Sequence, residues 1–346
     1  MDEDEFNVRA KEALDMVFDY TKNARDYNPL HDVKQGYLSD HIPLDPPTVP
    51  EKWEDIVTDF DRYIFPGSLC PAGVELEVIV MDWLAKMIGL PDHFLYYNNS
   101  DFKYGGGCLQ NTTCESTLVA LLSARKKALL IRRNSECAEV DDWMIMSKFV
   151  AYSSEEVMAT LGTSFLCVFD DTHELGQVCK SKIIWLHVDA ALAGSMFICP
   201  EKRRKLKGIE LCSLLDRTCK YHALKVWFVI RCYGRNGLQD EIRKDINFAL
   251  YFKDLLTMDS RFEILNDVCT SIVCFRLKAP NTVNKALYQD IFYNKKQIHI
   301  SKADSKGTFF LRFVSRSSNL TTREDIDFAW NIIQTTAENA FKKITC

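Results

Sequence analysis

The sequence has no apolar run long enough to cross a membrane, because charged residues interrupt every apolar stretch. Its first five residues, Met-Asp-Glu-Asp-Glu, are acidic, whereas signal and transit peptides begin with basic residues. The net charge is −5, so neither nucleic acid nor an anionic membrane surface is an expected partner. These absences predict a cytoplasmic protein.

Cysteine is abundant, with 13 residues, but the spacings that would give it a structural role are missing. The sequence contains no Cys-x-x-Cys pair and no His-Glu-x-x-His motif, which are common spacings of zinc ligands. An odd number of scattered cysteines also argues against a disulfide framework. We therefore expect reduced thiols in the cytoplasm and no metal site.

What the sequence does contain is the composition of an ordinary water-soluble protein. It has 346 residues, of which 47% are hydrophobic and 26% are charged. A chain of this length can form two hydrophobic cores of useful size.

The most informative stretch is residues 183–195, which read Ile-Ile-Trp-Leu-His-Val-Asp-Ala-Ala-Leu-Ala-Gly-Ser. Four of the first five residues are large and apolar, which predicts a buried strand of a mostly parallel sheet. Ligands of such sheets bind just beyond the carboxyl ends of the strands, where Asp189 is expected to lie. The small residues after Asp189 leave room for a flat group.

Three interpretations of Asp189 compete. A buried carboxylate is costly unless it meets donors or a cation, so backbone amides of the next turn are one possible partner. A second interpretation, the metal-binding acid of a nucleotide hydrolase, requires a Gly-x-x-x-x-Gly-Lys-Ser/Thr loop that this sequence lacks. The third is a carboxylate that pairs with the protonated ring nitrogen of pyridoxal phosphate, which acts as an electron sink.

A glycine-rich stretch precedes a second candidate site. Residues 104–107 read Tyr-Gly-Gly-Gly, and Thr112, Thr113 and Cys114 come next, at the start of a predicted helix over residues 115–128. The unpaired amides of a helix start can bind an anion such as a phosphate. An ordinary threonine cap with Glu115 in the first turn explains the same residues. The spacing does not separate these alternatives.

Residues 187–191 (His-Val-Asp-Ala-Ala) and 193–200 (Ala-Gly-Ser-Met-Phe-Ile-Cys-Pro) resemble the pyridoxal-phosphate-dependent amino-acid decarboxylases of group II. The similarity is greatest to the branch with the aromatic-L-amino-acid and histidine decarboxylases. The resemblance implies that Asp189 pairs with the pyridine nitrogen and that Ala191 packs on the ring. Thr112-Thr113-Cys114 correspond to the family's Ser-Ala-Ser phosphate site, and Ser164 replaces a threonine close to the cofactor.

The resemblance also implies a fold and a partner. We expect an α/β protein of the aminotransferase-like, type I pyridoxal-phosphate fold. It would comprise an N-terminal helical dimerisation arm (residues 1–67), a shortened large domain with a mostly parallel sheet (68–218) and a small α+β domain (219–346). The family's arm wraps a second subunit, so a homodimer is expected. The implied reaction is decarboxylation of an L-amino acid, either an aromatic one or histidine, to the amine.

Several family segments have no counterpart in the sequence. The Asn-Pro-His-Lys motif, whose lysine binds the cofactor covalently, is missing, as are the ring-stacking histidine and a segment after Gly67 that shapes the substrate pocket. Lys225 has its own family counterpart on a later helix, and Lys220 is the other lysine near the gap. The catalytic residues therefore stay unassigned, and we expect weak or absent activity. An inactive chain that pairs with a full-length relative is the alternative.

The C-terminal part has a regular pattern. Short strands are predicted at residues 262–265, 271–277, 297–300 and 308–314, and helices at residues 282–293 and 322–341. Strands separated by one helix and closed by another are typical of a small α+β domain. Arg312 lies on one of these strands and is given a structural role only.

Overall fold

The computed structural model describes residues 3–23, 34, 36–65, 71–97, 105–110, 112–135, 141–147, 158–163, 166–182, 184–211, 214–216, 223–295, 297–315 and 321–342. The α-helices are Glu3–Asn23 (α1), Trp53–Asp59 (α2), Pro71–Ile88 (α3), Thr113–Ser135 (α4), Asp142–Met146 (α5), Thr172–Lys182 (α6), Ala223–Met258 (α7), Asn281–Gln289 (α8) and Arg323–Lys342 (α9). The strands are Met158–Thr160 (β1), His187–Asp189 (β2), Leu214–Asp216 (β3), Phe262–Ile264 (β4), Ile272–Leu277 (β5), Ser301–Ser305 (β6) and Thr308–Val314 (β7).

A parallel sheet of three strands, in the order β1-β2-β3, carries the strand expected at residues 183–189. Among the described residues, β1 and β3 pair with residues 187–189 only, so the observed strand is shorter than expected. Leu186 and Val188 are buried, as predicted, but Ile184 is 38% exposed. The apolar run therefore exceeds the length of strand that the described neighbours cover.

Helix α3 lies at the centre of the first hydrophobic core. It begins at Pro71, and the first turn is where a helix tolerates a proline. It ends before Gly89, whose φ of +84° favours glycine. Its buried face packs against α7, the 3₁₀ turns at Tyr37–Asp40 and Gly194–Ile198 and the π-helical turn at Phe60–Ile64, and residues of α2 and β2 belong to the same core. The fully buried side chains of this core include Trp83, Phe197 and Trp227.

Helix α7 breaks at Gly234, which has φ +62° and ψ +171°. A side chain here would place its Cβ 2.4 Å from the carbonyl carbon of Val49. The proline-rich segment at residues 46–51 runs alongside the break and accepts the freed amides: Arg235 donates to Pro47 O at 2.9 Å and Asn236 to Thr48 O at 3.0 Å. A local backbone partner thus explains how the helix tolerates the interruption.

Arg231, one turn before this break, ties α7 to α2. Its guanidinium is buried and pairs with Glu51 and with Asp59, the latter at 2.6 Å. The same guanidinium lies over the Trp227 ring, 4.8 Å from the centroid. The proline-rich segment and α2 are therefore held to the body of the protein by a charged pair as well as by apolar contact.

The second sheet is antiparallel, in the order β4-β5-β7-β6. The expected strand at residues 297–300 is wrong, because the pairing begins at Ser301 instead. A two-residue turn joins β6 to β7, and both Lys306 (φ +51°) and Gly307 (φ +76°) have positive φ. Such a turn sets the register of a hairpin, so the strand begins where the hairpin pairing begins.

Helices α8 and α9 and the second half of α7 cover this sheet and form a second core with it. The buried Asn284 of α8 closes the edge after β5: its Oδ1 accepts from Leu277 N at 2.8 Å, and its Nδ2 donates to Leu277 O at 3.1 Å. The helices expected at residues 282–293 and 322–341 are present, and a π-helical turn at Asp290–Lys295 extends α8.

An exposed ion pair joins the 3₁₀ helix Pro200–Leu206 to α7. Arg243 Nε donates to Glu201 Oε1 at 2.9 Å, and its second nitrogen donates to Oε2 at 3.2 Å. These bonds from Arg243 lower the pKa of Glu201 to about 2.

We expect Glu201→Gln to remove a small, pH-dependent part of the stability. The ordinary pKa of glutamate is 4.5, so the pair stabilises the fold above that pH, and its contribution is lost as the pH falls through about 2. The side chains are 38% and 49% exposed, so water screening limits the contribution to about 0.5 kcal/mol or less. Urea unfolding of both proteins at pH 7, 4 and 3 measures it. A difference that grows on acidification would contradict the assigned sign.

Among the residues that the structure describes, no helix is both long enough and apolar enough to cross a membrane. Residues 148–154 (Lys-Phe-Val-Ala-Tyr-Ser-Ser) have the pattern of a strand that ends in hydroxyl side chains, and they lie outside the described ranges.

Candidate functional site

Asp189 is the last residue of the middle strand, β2, so its side chain lies at the carboxyl edge of the parallel sheet. Its carbonyl accepts from Leu161 N at 2.8 Å. Its carboxylate oxygen Oδ1 accepts from Ala191 N at 2.8 Å, which closes a tight turn immediately after the strand. Asp189 and Ala191, two of the predicted site residues, are thus in direct contact at this edge.

The first interpretation of Asp189, a carboxylate held by backbone donors, is correct for one of its oxygens. The other oxygen, Oδ2, accepts no hydrogen bond from the residues that the structure describes. The side chain is half-buried, where an ionised carboxylate gains from a second donor or a cation. Asp189 can therefore hold the local turn with Oδ1 and bind a ligand with Oδ2.

Small residues surround this strand end. Ala190 and Ala193 are buried, and Gly162, at φ +86°, approaches Ala193 so closely that an added Cβ would lie 2.7 Å from the alanine Cβ. Gly162 belongs to a compact turn after β1, in which Thr163 N donates to Val168 O at 2.9 Å. A larger side chain at these positions would separate the turn from the strand end.

A second carboxylate, which no sequence pattern indicates, lies at the same edge. Asp170 Oδ2 accepts from Thr160 N, the last residue of β1, at 2.6 Å. Asp189 is also the register partner of Asp216, the last residue of β3. Asp170 belongs to no local sequence motif, whereas the next residue, Asp171, has a recognisable cap position and accepts from both His173 N and Glu174 N at 3.0 Å.

The start of α4 holds the second group of predicted residues. Thr112 Oγ1 accepts from Glu115 N at 3.1 Å, which is the geometry of a helix cap. Thr113 is the first residue of the helix, and the Cys114 thiol is exposed. The cap interpretation is therefore correct for Thr112. It leaves the amides of Thr113 and Cys114, which have no acceptor within the helix, for an anion or water.

Helix α4 lies on the parallel sheet, which it contacts at β3. Lys127, near its middle, places its ammonium 5.1 Å from the ring centroid of Trp185, two residues before β2. The predicted residues that the structure describes therefore fall into two groups on one sheet, the strand end and the start of α4. Their convergence on a single ligand stays a prediction.

Four predicted positions need separate mention. Ser164 and Lys220 lie outside the described residues, as does the side chain of Thr113. Lys225 is exposed in the first turn of α7. Within the described ranges, no cluster of His, Cys, Asp or Glu side chains has the arrangement of a metal site.

The described residues fit a flat, phosphorylated, protonated heterocycle. Asp189 offers a carboxylate oxygen to a protonated ring nitrogen, and Ala191, whose amide holds that carboxylate, carries only a methyl side chain. The first turn of α4 offers backbone amides to a phosphate, although the exposed Cys114 thiol is a weaker donor than a hydroxyl.

Comparison with known proteins agrees with this chemistry. The Pyridoxal-dependent decarboxylase conserved domain matches residues 68–158, 156–217 and 214–278. The aromatic-L-amino-acid decarboxylase of Drosophila simulans is 31% identical, over 98% of this chain and 92% of its own length. The aligned span is 475 positions, more than the 346 residues of this chain, so that relative contains residues that this chain lacks. Human histidine decarboxylase is 29% identical over 97% of this chain and 71% of its own length.

Solved structures show the same similarity. Catharanthus roseus tryptophan decarboxylase, in complex with L-tryptophan, superposes with a TM-score of 0.65 at 27% identity and covers 98% of this chain and 99% of its own. Oryza sativa TDC, solved with PLP, has a TM-score of 0.67 at 24% identity, with 98% of each chain covered. The expected aminotransferase-like fold, with a parallel sheet and a separate antiparallel sheet, is thereby confirmed.

Proposed function

Because this chain belongs to the pyridoxal-dependent decarboxylase family, we propose that it binds pyridoxal 5′-phosphate (PLP) at the carboxyl edge of its parallel sheet and decarboxylates an L-amino acid. The observation that carries the proposal is Asp189, a half-buried carboxylate at the end of the middle strand with one oxygen in the local turn. A carboxylate in this position is suited to a protonated ring nitrogen.

This placement gives each of the chain's own residues a role. Asp189 would hold the proton on the ring nitrogen, and the Ala191 amide keeps the carboxylate pointed past the strand end. Ala191 would lie against the ring, since a larger side chain would fill the same space. Thr112 caps α4, and the amides of Thr113 and Cys114 would receive the phosphate. Bound PLP supplies the electron sink that decarboxylation requires.

The substrate class we propose is an aromatic L-amino acid or histidine. It rests on the relatives, which are named for aromatic L-amino acids and histidine, and on the Catharanthus structure, which holds L-tryptophan. The chain contains no Asn-Pro-His-Lys sequence, so we assign no residue to covalent binding of the cofactor.

The test of this proposal starts with the purified chain and PLP. The expected result is an absorption band of protein-bound PLP that differs from the band of free PLP, a rise in melting temperature, and slow formation of amine from L-dopa, L-tryptophan or L-histidine. Borohydride treatment and then peptide mapping would identify any lysine bound to the cofactor, with Lys220 and Lys225 as the two to inspect. No band and no thermal protection would refute cofactor binding. A band without amine would retain the site but refute catalysis.

A second candidate function is a non-catalytic partner of a full-length relative. The missing lysine motif favours it, and so do apolar faces that are open to water in the described part of the chain. On α1, Phe18 is 71% exposed, and Phe6, Val8 and Leu14 are exposed as well. On α4, Leu118, Leu121 and Leu122 form a similar strip. Exposed apolar areas of this kind are typical of surfaces that a second subunit covers.

Co-expression distinguishes the two candidates. If the chain serves as a partner, a full-length aromatic-L-amino-acid decarboxylase with a different tag should co-purify with it, and Leu121→Glu or Phe18→Glu should abolish the pairing. A chain that self-associates and forms amine without the relative would favour the first function.

We further propose that the protein is cytoplasmic, in line with the free thiols at all eight described cysteines.

A further inference from the structure

The glycine segment, residues 105–110, leads into the start of α4 and is fastened at several points. Gly106 N donates to Phe94 O at 3.0 Å, and Leu109 N donates to Glu77 Oε1 at 2.6 Å. Gly105 lies so close to the preceding loop that a Cβ there would be 2.2 Å from Leu95 O. The segment is therefore held in one path before the helix begins.

Glu77 is the side-chain acceptor that comes to this segment from another element, helix α3. Two other acids of α3 act in the same way on other segments. Glu75 accepts from Gly36 N at 2.6 Å and Leu38 N at 3.1 Å, and Asp82 accepts from Tyr96 N at 2.8 Å and Tyr97 N at 3.0 Å. A bond from an amide to an ionised carboxylate is stronger than one between neutral groups. Helix α3 thus serves as a platform that fixes three separate backbone segments.

The Glu77 contact is the one that bears on the start of α4. Leu109 is three residues from Thr112, so the chain between them can span no more than about 10 Å. Thr112 caps α4, and its carbonyl accepts from Ser116 N at 3.1 Å. Fixing the amide of Leu109 therefore restricts where the first turn of the helix, with its unpaired amides, can lie.

We propose that Glu77 is a positioning residue for the phosphate end of the PLP site, acting through the glycine segment. The inference rests on the proposed function, since it assumes that the start of α4 receives the phosphate. The hydrogen bond of the Glu77 carboxylate is to a backbone amide, and we assign the residue no role in the reaction.

The experiment compares the affinities of the whole chain for PLP and for pyridoxal, which lacks the phosphate. Each ligand is added to the protein in a titration, and binding is followed by the change in tryptophan fluorescence. Glu77→Ala should raise the Kd for PLP on the order of tenfold, as expected for the loss of a charge-assisted bond, and should change the Kd for pyridoxal less than about twofold. Glu77→Gln retains an acceptor oxygen and should restore most of the affinity. The Leu109 amide hydrogen should exchange with solvent faster in Glu77→Ala than in the wild type.

Glu75→Ala is the matched control. It removes a carboxylate on the same helix that also accepts hydrogen bonds from backbone amides, but those amides belong to residues 36–38. It should lower the melting temperature and leave the ratio of the PLP and pyridoxal affinities unchanged. Equal losses for both ligands in Glu77→Ala, or no loss for either, would overturn the inference while leaving the proposed function intact. A wild-type chain that binds neither ligand would instead refute the cofactor site, and the inference with it.

Discussion

Asp189→Asn is expected to weaken PLP binding by about a hundredfold, or roughly 3 kcal/mol, because it removes the charge that would balance a protonated ring nitrogen. The fold should be little affected. An asparagine side-chain oxygen can still accept from Ala191 N, so the turn after β2 keeps the bond that it has in the wild type. Titration of both proteins with PLP, monitored by tryptophan fluorescence, measures the loss, and thermal melting without PLP checks the fold.

Asp170→Asn provides a control at the same edge of the sheet. Its carboxylate accepts from Thr160 N at 2.6 Å, and an asparagine oxygen can do the same. Affinity for PLP should therefore stay within about twofold of the wild type, since no ligand charge is assigned to this residue. If Asp189→Asn and Asp170→Asn bind PLP equally well, Asp189 serves the turn alone, and the backbone-donor interpretation is sufficient.

Phe252→Ala is expected to lower the free energy of unfolding by about 4 kcal/mol. Phe252 is fully buried in the second core, where α7 meets the antiparallel sheet. Its ring stacks on Phe313 with a centroid distance of 3.9 Å and meets Phe275 and Trp330 edge-on at 5.6 and 6.1 Å. Removing the ring leaves a cavity among aromatic side chains, which cannot all shift to fill it.

Urea unfolding monitored by circular dichroism measures this loss. The matched variant is Phe328→Ala on α9, where the side chain is 51% exposed and the change in stability should stay within about 0.5 kcal/mol. Similar urea midpoints for the two variants would mean that the Phe252 site collapses around the missing ring, so the aromatic cluster would not be the rigid centre of the second core.

The family, the strand end at Asp189 and the start of α4 could be predicted from sequence, because each depends on a local pattern of residues. An apolar run that ends in Asp189 and small residues specifies a strand and the tight turn after it. The helical spacing of α3, stopped by Gly89, and the alternation near β5 and β7 similarly depend on neighbours in the chain. Boundaries were less accurate, as at β6, where the pairing through the Lys306-Gly307 turn sets the first residue.

The sequence by itself determined the strand that ends at Asp189, the helix that begins close to Thr113 and the family to which both point. Only the tertiary structure decided that Glu77 holds Leu109 and that Asp170 holds the end of β1. Leu109 is 32 residues from Glu77, and Asp170 returns to Thr160 only through a compact turn. A hydrogen bond requires a donor and an acceptor within about 3 Å and correctly oriented, and for residues far apart in sequence only the packing of the elements between them provides this.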